Sequence, residues 1–209
     1  MQLKMKMIDE LNDLRLLAEK NHVPIIRRDT ETFLRKLLRK NKPKTILEVG
    51  TCIGYSALFF CRSCPKSKIV SIDNDSYASE AALYNISNFT DIDNLQLITG
   101  DGAKEMKRLN KKGDRFDLIF IDAGKSHYLR FFLEAKNILT PGGIILCDDI
   151  GQRNADYDNL QNTPRKHRTA IIKMNEFIEH IKNVQGYKTD FYDIGDGLVT
   201  IKSLEDEQN

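Results

Sequence analysis

The sequence predicts an α/β fold: a doubly wound, mostly parallel sheet of seven strands with an antiparallel hairpin at its carboxyl end. Three observations carry that prediction. From Thr45 onward, short apolar runs alternate with stretches of helical periodicity, the pattern of strands joined by crossover helices. The first five runs, TILEV, KIVSI, LQLIT, FDLIFI and GIILC, are apolar almost throughout, as expected of strands covered on both faces. The last two, TDFYDI and GLVTI, meet at Gly195-Asp196-Gly197, a connection too short for a parallel crossover and suited to a hairpin.

With 209 residues, 41% of them hydrophobic and 30% charged, the chain is long enough for one well-buried core and short for two. A single domain over 1–209 is expected, with a helical segment over 1–42, a core over 43–202 and a solvated tail over 203–209. The first helix spans Leu3 to Lys20, with Met7, Leu11, Leu14 and Ala18 at helical spacing and a break at Pro24. A second starts near Asp29 or Thr30, sets Phe33, Leu34, Leu37 and Leu38 on one face and basic residues on the other, and stops before Pro43. Between the strand runs, helices are expected over Ser56–Arg62, Ser76–Phe89, Ala103–Asn110, Ser126–Leu139 and Arg165–Asn183.

Charge excludes little at first sight: 32 Lys and Arg stand against 30 Asp and Glu, a net +2. Resolved by position it is uneven, since residues 1–47 hold 12 basic and 6 acidic side chains. Near-neutrality is then a sum over opposite patches and does not exclude a polyanionic partner. No apolar run approaches the roughly 20 residues that cross a bilayer, and the start MQLKMKMIDE lacks the features of a secretion signal. A cytoplasmic location with reduced thiols is expected. Cys61 and Cys64 make a CxxC, but a zinc site needs a second ligand pair and a redox pair belongs at a helix start. This one falls near a helix end, just before Pro65.

In an open parallel sheet, ligands bind beyond the carboxyl ends of the strands. Each of the first five strands ends in a carboxylate: Glu48 before Val49-Gly50-Thr51-Cys52-Ile53-Gly54-Tyr55-Ser56, then Asp73, then Asp101 within Gly100-Asp101-Gly102, then Asp122 before Ala123-Gly124-Lys125, then Asp148-Asp149. One such acid is an ordinary helix cap, whereas five at one rim call for ligands. Gly50 and Gly54 are four apart and no GKS or GKT follows, so the first loop is neither a dinucleotide cradle nor a Walker loop. An acid at Glu48 repels phosphate and suits an amine or cation. Asp73 is positioned to accept from a ribose diol, and a nucleoside with a cationic centre satisfies both.

These motifs, EVGTCIGYS, Asp73, GDG, IDAGK and CDD in that order, resemble the S-adenosylmethionine-dependent O-methyltransferases of the catechol and caffeoyl-CoA type, over residues 22–202. Three further features are similar to the bacterial tRNA 5-hydroxyuridine methyltransferases: His22-Val23-Pro24-Ile25, Pro164-Arg165-Lys166-His167-Arg168, and Gly195-Asp196-Gly197-Leu198. The resemblance implies a Rossmann-like class I methyltransferase fold. It also implies that Glu48, Gly50 and Ser56 line the methionine side of S-adenosylmethionine, that Asp73 takes the ribose hydroxyls, and that Asp101 and Gly102 flank the adenine. Asp122, which also adjoins the cofactor, joins Asp148 and Asp149 in binding a divalent cation, Mg2+ or else Mn2+ or Ca2+. The usual partner of the acid at 148 is Asn, so Asp149 departs from the pattern. An oxygen-only set favours such hard cations over zinc.

The implied chemistry is in-line methyl transfer from a sulfonium to an oxygen, with the cation acidifying and orienting the acceptor hydroxyl. The 5-hydroxyl and 4-carbonyl oxygens of 5-hydroxyuridine offer the same bite as a catechol. Lys125, three residues after Asp122, matches the family lysine that takes the hydroxyl proton, against the plainer reading of a surface lysine. His127 reads as a helix-start residue, and Tyr55 and Tyr128 as core tyrosines with a wet hydroxyl. Arg165, Lys166, His167 and Arg168, with Arg153 and Lys173 nearby, stand at a helix start where the dipole disfavours positive charge. They suit the phosphates of a tRNA anticodon stem-loop whose splayed base enters the pocket; the basic face of the second helix, Arg35, Lys36, Arg39 and Lys40, either extends that track or is an ordinary solvated helix face. Three functions follow: a tRNA wobble-uridine methyltransferase, a methyltransferase of catechol-like or acyl-CoA phenols, and a non-catalytic RNA-binding domain. The set Asp122, Lys125, Asp148 and Asp149 speaks against the last. Similar bacterial enzymes are commonly homodimers, so by analogy a homodimer is expected, with the amphipathic first helix as the candidate interface.

Overall fold

The computed structural model describes residues 2–151 and 164–204, and the backbone alone for residues 2–10 and 165–167. Its strands are β1 (Thr45–Val49), β2 (Lys68–Asp73), β3 (Leu95–Thr99), β4 (Phe116–Ile121), β5 (Leu139–Cys147), β6 (Tyr187–Tyr192) and β7 (Leu198–Ser203). They form a seven-stranded sheet in the order β3-β2-β1-β4-β5-β7-β6. β2 is parallel to β1 and β3, β4 is parallel to β5, and β7 is antiparallel to β5 and β6. This is the mixed α/β class that the apolar runs predict. No helix among the described residues is long and apolar enough to cross a membrane. The residues group into two compact units, 1–101 and 102–209.

The first unit holds β1 to β3 with α1 (Gln2–Lys20), α2 (Arg28–Asn41), α3 (Tyr55–Ser63) and α4 (Ser76–Ser87). α1 buries Leu11, Leu14 and Ala18, the helical spacing seen in the sequence. It stops where His22 turns left-handed at φ 55 and the Val23 N–H returns to Ala18 O at 2.9 Å, a glycine-type cap made by histidine. α2 buries Thr30, Leu34 and Leu38, four residues apart. α4 is capped by Asp75, whose carboxylate accepts from the Tyr77 and Ala78 amides. β1 and β2 are buried almost throughout, but β3 is only half-buried. Full coverage was expected of all five parallel strands; β3 lies at the sheet edge, where one side lacks a neighbour.

The second unit holds β4 to β7 with α5 (Gly102–Lys111), a 3₁₀ turn (Lys125–His127), α6 (Tyr128–Ala135) and α7 (Arg165–Lys182). Its aromatic core stacks Phe177 edge-on to Tyr128 and Phe132, with ring centroids 5.6 and 6.2 Å apart. α6 ends at Ala135 rather than near Leu139. Leu139 instead pairs with Phe116 to start β5, and a register shift after Phe116 absorbs Pro141-Gly142-Gly143. Periodicity had assigned Leu139 to the helix because an apolar residue just after a helical stripe fits either element.

Candidate active site

Each unit carries an acidic rim at the carboxyl ends of its parallel strands. In the first, the register sets Glu48 of β1 opposite Ser71 of β2. Ser71 Oγ donates to Glu48 Oε2 and lies 2.6 Å from Thr51 Oγ1, so a hydroxyl relay ties the buried acid to the loop that follows β1. That loop turns on Gly54 at φ 84, where a Cβ would press on Ala82 Cβ at 3.2 Å. The Asn85 side chain of α4 donates to Ile53 O at 2.9 Å, and the Cys52 amide donates to Asp73 Oδ2 at 2.8 Å. Cys52 itself is left-handed at φ 48. Asp73 Oδ1 accepts from the Asp75 amide, so this carboxylate organises the loop on its own side of the rim.

Gly50 is half-buried at φ 106, and Ser56 is buried in the first turn of α3. Asp101 is half-buried after β3, whose end is tied to β2 by the Gly100 amide on Asp73 O at 2.7 Å, and Gly102 is the buried first residue of α5. The first unit thus gathers Glu48, Gly50, Ser56 and Asp73 around one loop. Behind the loop lies a network that sequence reading missed. Arg15 of α1, 3% exposed, donates to Tyr55 Oη at 2.9 Å and to Glu31 Oε2 at 2.6 Å, while Tyr55 donates to the same oxygen at 2.8 Å. Burial works against the Glu31 charge, but hydrogen bonds from Arg35, Tyr55 and Arg15 outweigh it and hold the carboxyl below its ordinary range. Burial and then Glu31 push the Tyr55 phenol up to about 12.

In the second unit the parallel register sets Ile121 of β4 opposite Cys147 of β5. The next residues, Asp122 and Asp148, are therefore side by side at the strand ends. Burial, then Asp149 and against Lys125, pushes the Asp122 carboxyl up to about 6; burial, then Asp122, pushes that of Asp148 up to about 7. Asp122 keeps some exposed surface, whereas Asp148 is 6% exposed. The charge of Asp196, in the β6–β7 turn, also acts on both. Asp149 pairs with Lys125, Nζ to Oδ1 2.8 Å, at a half-exposed position. Tyr128, fully buried, donates to the Asp148 carbonyl at 2.7 Å, so its hydroxyl is bonded rather than wet. His127 closes the 3₁₀ turn, exposed.

Two buried carboxyls set side by side offer oxygen donors whose joint ionisation needs a positive charge beside them, which fits a hard divalent cation. Asp149 is engaged by Lys125, and among the described residues no three His, Cys, Asp or Glu side chains are gathered as a ready metal set. The CxxC is no such site either. Cys61 sits inside α3 and Cys64 at its end, and burial raises both thiols, Cys61 to about 12, which leaves them unreactive.

Of the basic group before α7, Arg168 is half-buried in the first turn of the helix; the side chains of Arg165, Lys166 and His167, and all of Arg153, lie outside the described residues. Lys173 is paired with Glu176 at 2.7 Å. On α2, Arg35, Lys36, Arg39 and Lys40 are exposed, with Arg35 on Glu31 at 2.6 Å.

A family model described as O-methyltransferase matches residues 4–204. The chain belongs to this family. Among its O-methyltransferase relatives, a catechol O-methyltransferase of Niastella koreensis is 32% identical over 63% of this chain and 61% of its own. A caffeoyl-CoA O-methyltransferase of Populus kitakamiensis is 28% identical over 94% of this chain and 87% of its own. Among solved structures, an O-methyltransferase from Bacillus cereus, in complex with SAH, superposes with a TM-score of 0.77 at 22% identity, covering 93% of this chain and 90% of that one.

Proposed function

We propose that this O-methyltransferase transfers the methyl group of S-adenosylmethionine to the 5-hydroxyl of 5-hydroxyuridine at the wobble position of tRNA, giving 5-methoxyuridine. The observation that carries the chemistry is the Asp122–Asp148 pair, set side by side by the β4–β5 register and held up to about 6 and 7. Asp73 binds the ribose hydroxyls of the methyl donor and Glu48, Gly50 and Ser56 its methionine end, while Asp101 and Gly102 flank the adenine. Asp122 and Asp148, with Asp149, would hold a divalent cation, Mg2+ foremost, which when bound acidifies and orients an acceptor with two neighbouring oxygens. Lys125, positioned by Asp149 at 2.8 Å from its Nζ, would take the acceptor's proton as a neutral amine, having first given its own proton to solvent beside the bound cation. Arg165, Lys166, His167 and Arg168 hold the phosphates of the anticodon stem-loop.

A second acceptor class, catechol-like or acyl-CoA phenols, is favoured by the names of the Niastella and Populus relatives. The two separate by experiment. Nucleoside mass spectrometry of tRNA from cells lacking the gene should show 5-methoxyuridine and its derivatives lost and 5-hydroxyuridine retained. An unchanged content, with purified protein methylating catechol or caffeoyl-CoA, selects the second class. Replacing Arg165 and Arg168 by Glu should weaken tRNA binding and flatten its salt dependence while leaving methyl-donor affinity intact.

A further inference from the structure

β5 and β7 pair antiparallel from Ile144 opposite Lys202 to Cys147 opposite Val199. Continued, that register would set Ile150 against Asp196. Instead the Ile150 amide donates to Gly197 O at 3.1 Å and the Gly151 amide to Asp196 O at 2.6 Å. The pairing has slipped by one residue, and two successive amides face the same partner, which the alternation of a regular strand forbids. The extra residue falls at Asp148-Asp149, where Asp149 turns left-handed at φ 53.

That slip has a chemical consequence. Adjacent side chains of a regular strand project to opposite faces, so Asp148 and Asp149 could not both serve one site. An extra left-handed residue breaks the alternation, so that Asp148 follows Cys147 beside Asp122 while Asp149 turns to Lys125 of the same β4 loop, Oδ1 to Nζ 2.8 Å. The two amide bonds to the Gly195-Asp196-Gly197 turn fasten the chain just beyond this irregularity. Their fit depends on glycine: a Cβ on Gly151 would lie 2.3 Å from Asp196 O, and one on Gly197 would lie 2.7 Å from Gly151 N. Both are backbone contacts that cannot swing aside.

We propose that the Gly195-Asp196-Gly197 turn is a positioning clamp, which holds the slipped register of Asp148 and Asp149 so that both carboxylates address one cation. The clamp rests on the reading of these acids as cation ligands. Mn2+ binding, followed by electron paramagnetic resonance without methyl donor or acceptor, tests it. Gly197→Ala and Gly151→Ala approach the contact from opposite sides, and each should weaken Mn2+ affinity by about tenfold or more, with S-adenosylmethionine affinity by calorimetry within about twofold of wild type. Gly186→Ala is the control: Gly186 has φ 77, but a Cβ there meets nothing within 4 Å, so it bears left-handed strain while leaving Mn2+ binding unchanged. Wild-type Mn2+ affinity in both clamp variants overturns the clamp and leaves the cation reading standing. A wild-type protein that binds no Mn2+ overturns the cation reading, and the clamp with it. If neither clamp variant folds, Mn2+ should slow hydrogen exchange at the Ile150 and Gly151 amides of the wild-type protein by about tenfold; unchanged exchange overturns the clamp.

Discussion

Replacing Asp148 by Asn should make the metal-free protein more stable as it removes activity, and the gain should grow with pH. Burial, then the charge of Asp122, holds the Asp148 carboxyl up to about 7, against about 3.9 in an unfolded chain. With the folded value raised, the side chain's favourable contribution is complete below about pH 4, where both states are protonated, and is lost as pH rises through about 7. Three units at about 1.4 kcal/mol each put the loss at about 4 kcal/mol by about pH 8. Asn has no proton to lose and keeps an oxygen to accept the Asp149 amide, now 2.8 Å from Asp148 Oδ1.

Asp148→Asn and wild type should therefore unfold together at about pH 4 and separate steadily above it. For a chain of this size, about 4 kcal/mol corresponds to roughly 8–16 °C in melting temperature. Thermal unfolding in EDTA, followed by circular dichroism at a series of pH values, reads the difference directly. Adding Mn2+ at about a hundred times its dissociation constant should stabilise wild type by about 2.7 kcal/mol and the Asn variant far less. Parallel pH profiles for the two proteins, or an Asn variant less stable than wild type at alkaline pH, would refute the assignment of Asp148 as a buried acid held for a ligand.

Other perturbations follow from the same geometry. Glu31→Gln leaves Arg15 buried without its carboxylate and should cost about 3 kcal/mol in urea unfolding. Because the Glu31 carboxyl is held below its ordinary range, that loss should be full at neutral pH and shrink as pH falls through the folded value. Ser71→Ala cuts the relay from Glu48 to Thr51; calorimetry should show S-adenosylmethionine binding weakened about fivefold, the equivalent of one hydrogen bond of about 1 kcal/mol, with Mn2+ affinity unchanged. Tyr128→Phe strands the buried Asp148 carbonyl and should lower stability by about 1–3 kcal/mol, seen in thermal melts in EDTA.

Strand ends were legible in the sequence because the sheet is buried: a run such as FDLIFI can stop only at a polar residue, and Asp122 is that residue. The side-by-side setting of Asp122 and Asp148 was not legible, since it depends on Ile121 meeting Cys147 and register between strands leaves no local mark. The same holds for Ser71, a lone hydroxyl in an apolar run whose partner is named only by the pairing with Glu48. Arg15 occupies a core position on an otherwise apolar face of α1, and periodicity scores such a residue as an error in the stripe. The Gly195-Asp196-Gly197 turn was visible as a hairpin connection, but its contact with Gly151 joins segments far apart in the chain.

The buried charges of the two units sort by the direction in which the fold moves them. Glu31 is held below its ordinary range because Arg35, Tyr55 and Arg15 surround it with donors, so its charge is satisfied within the protein. Asp122 and Asp148 are moved the other way, up to about 6 and 7, by burial first and then by the charge of Asp149 on Asp122 and of Asp122 on Asp148. Nearby, Lys125 is drawn to Asp149 at 2.8 Å and only partly offsets the rise at Asp122. A fold selected for stability alone would end β4 and β5 on neutral residues, since two buried acids in register weaken it at the pH where cells work. Retaining them is consistent with a ligand whose positive charge restores the balance when it binds, and with the buried acids at a strand end being the part of the chain where stability has yielded to chemistry.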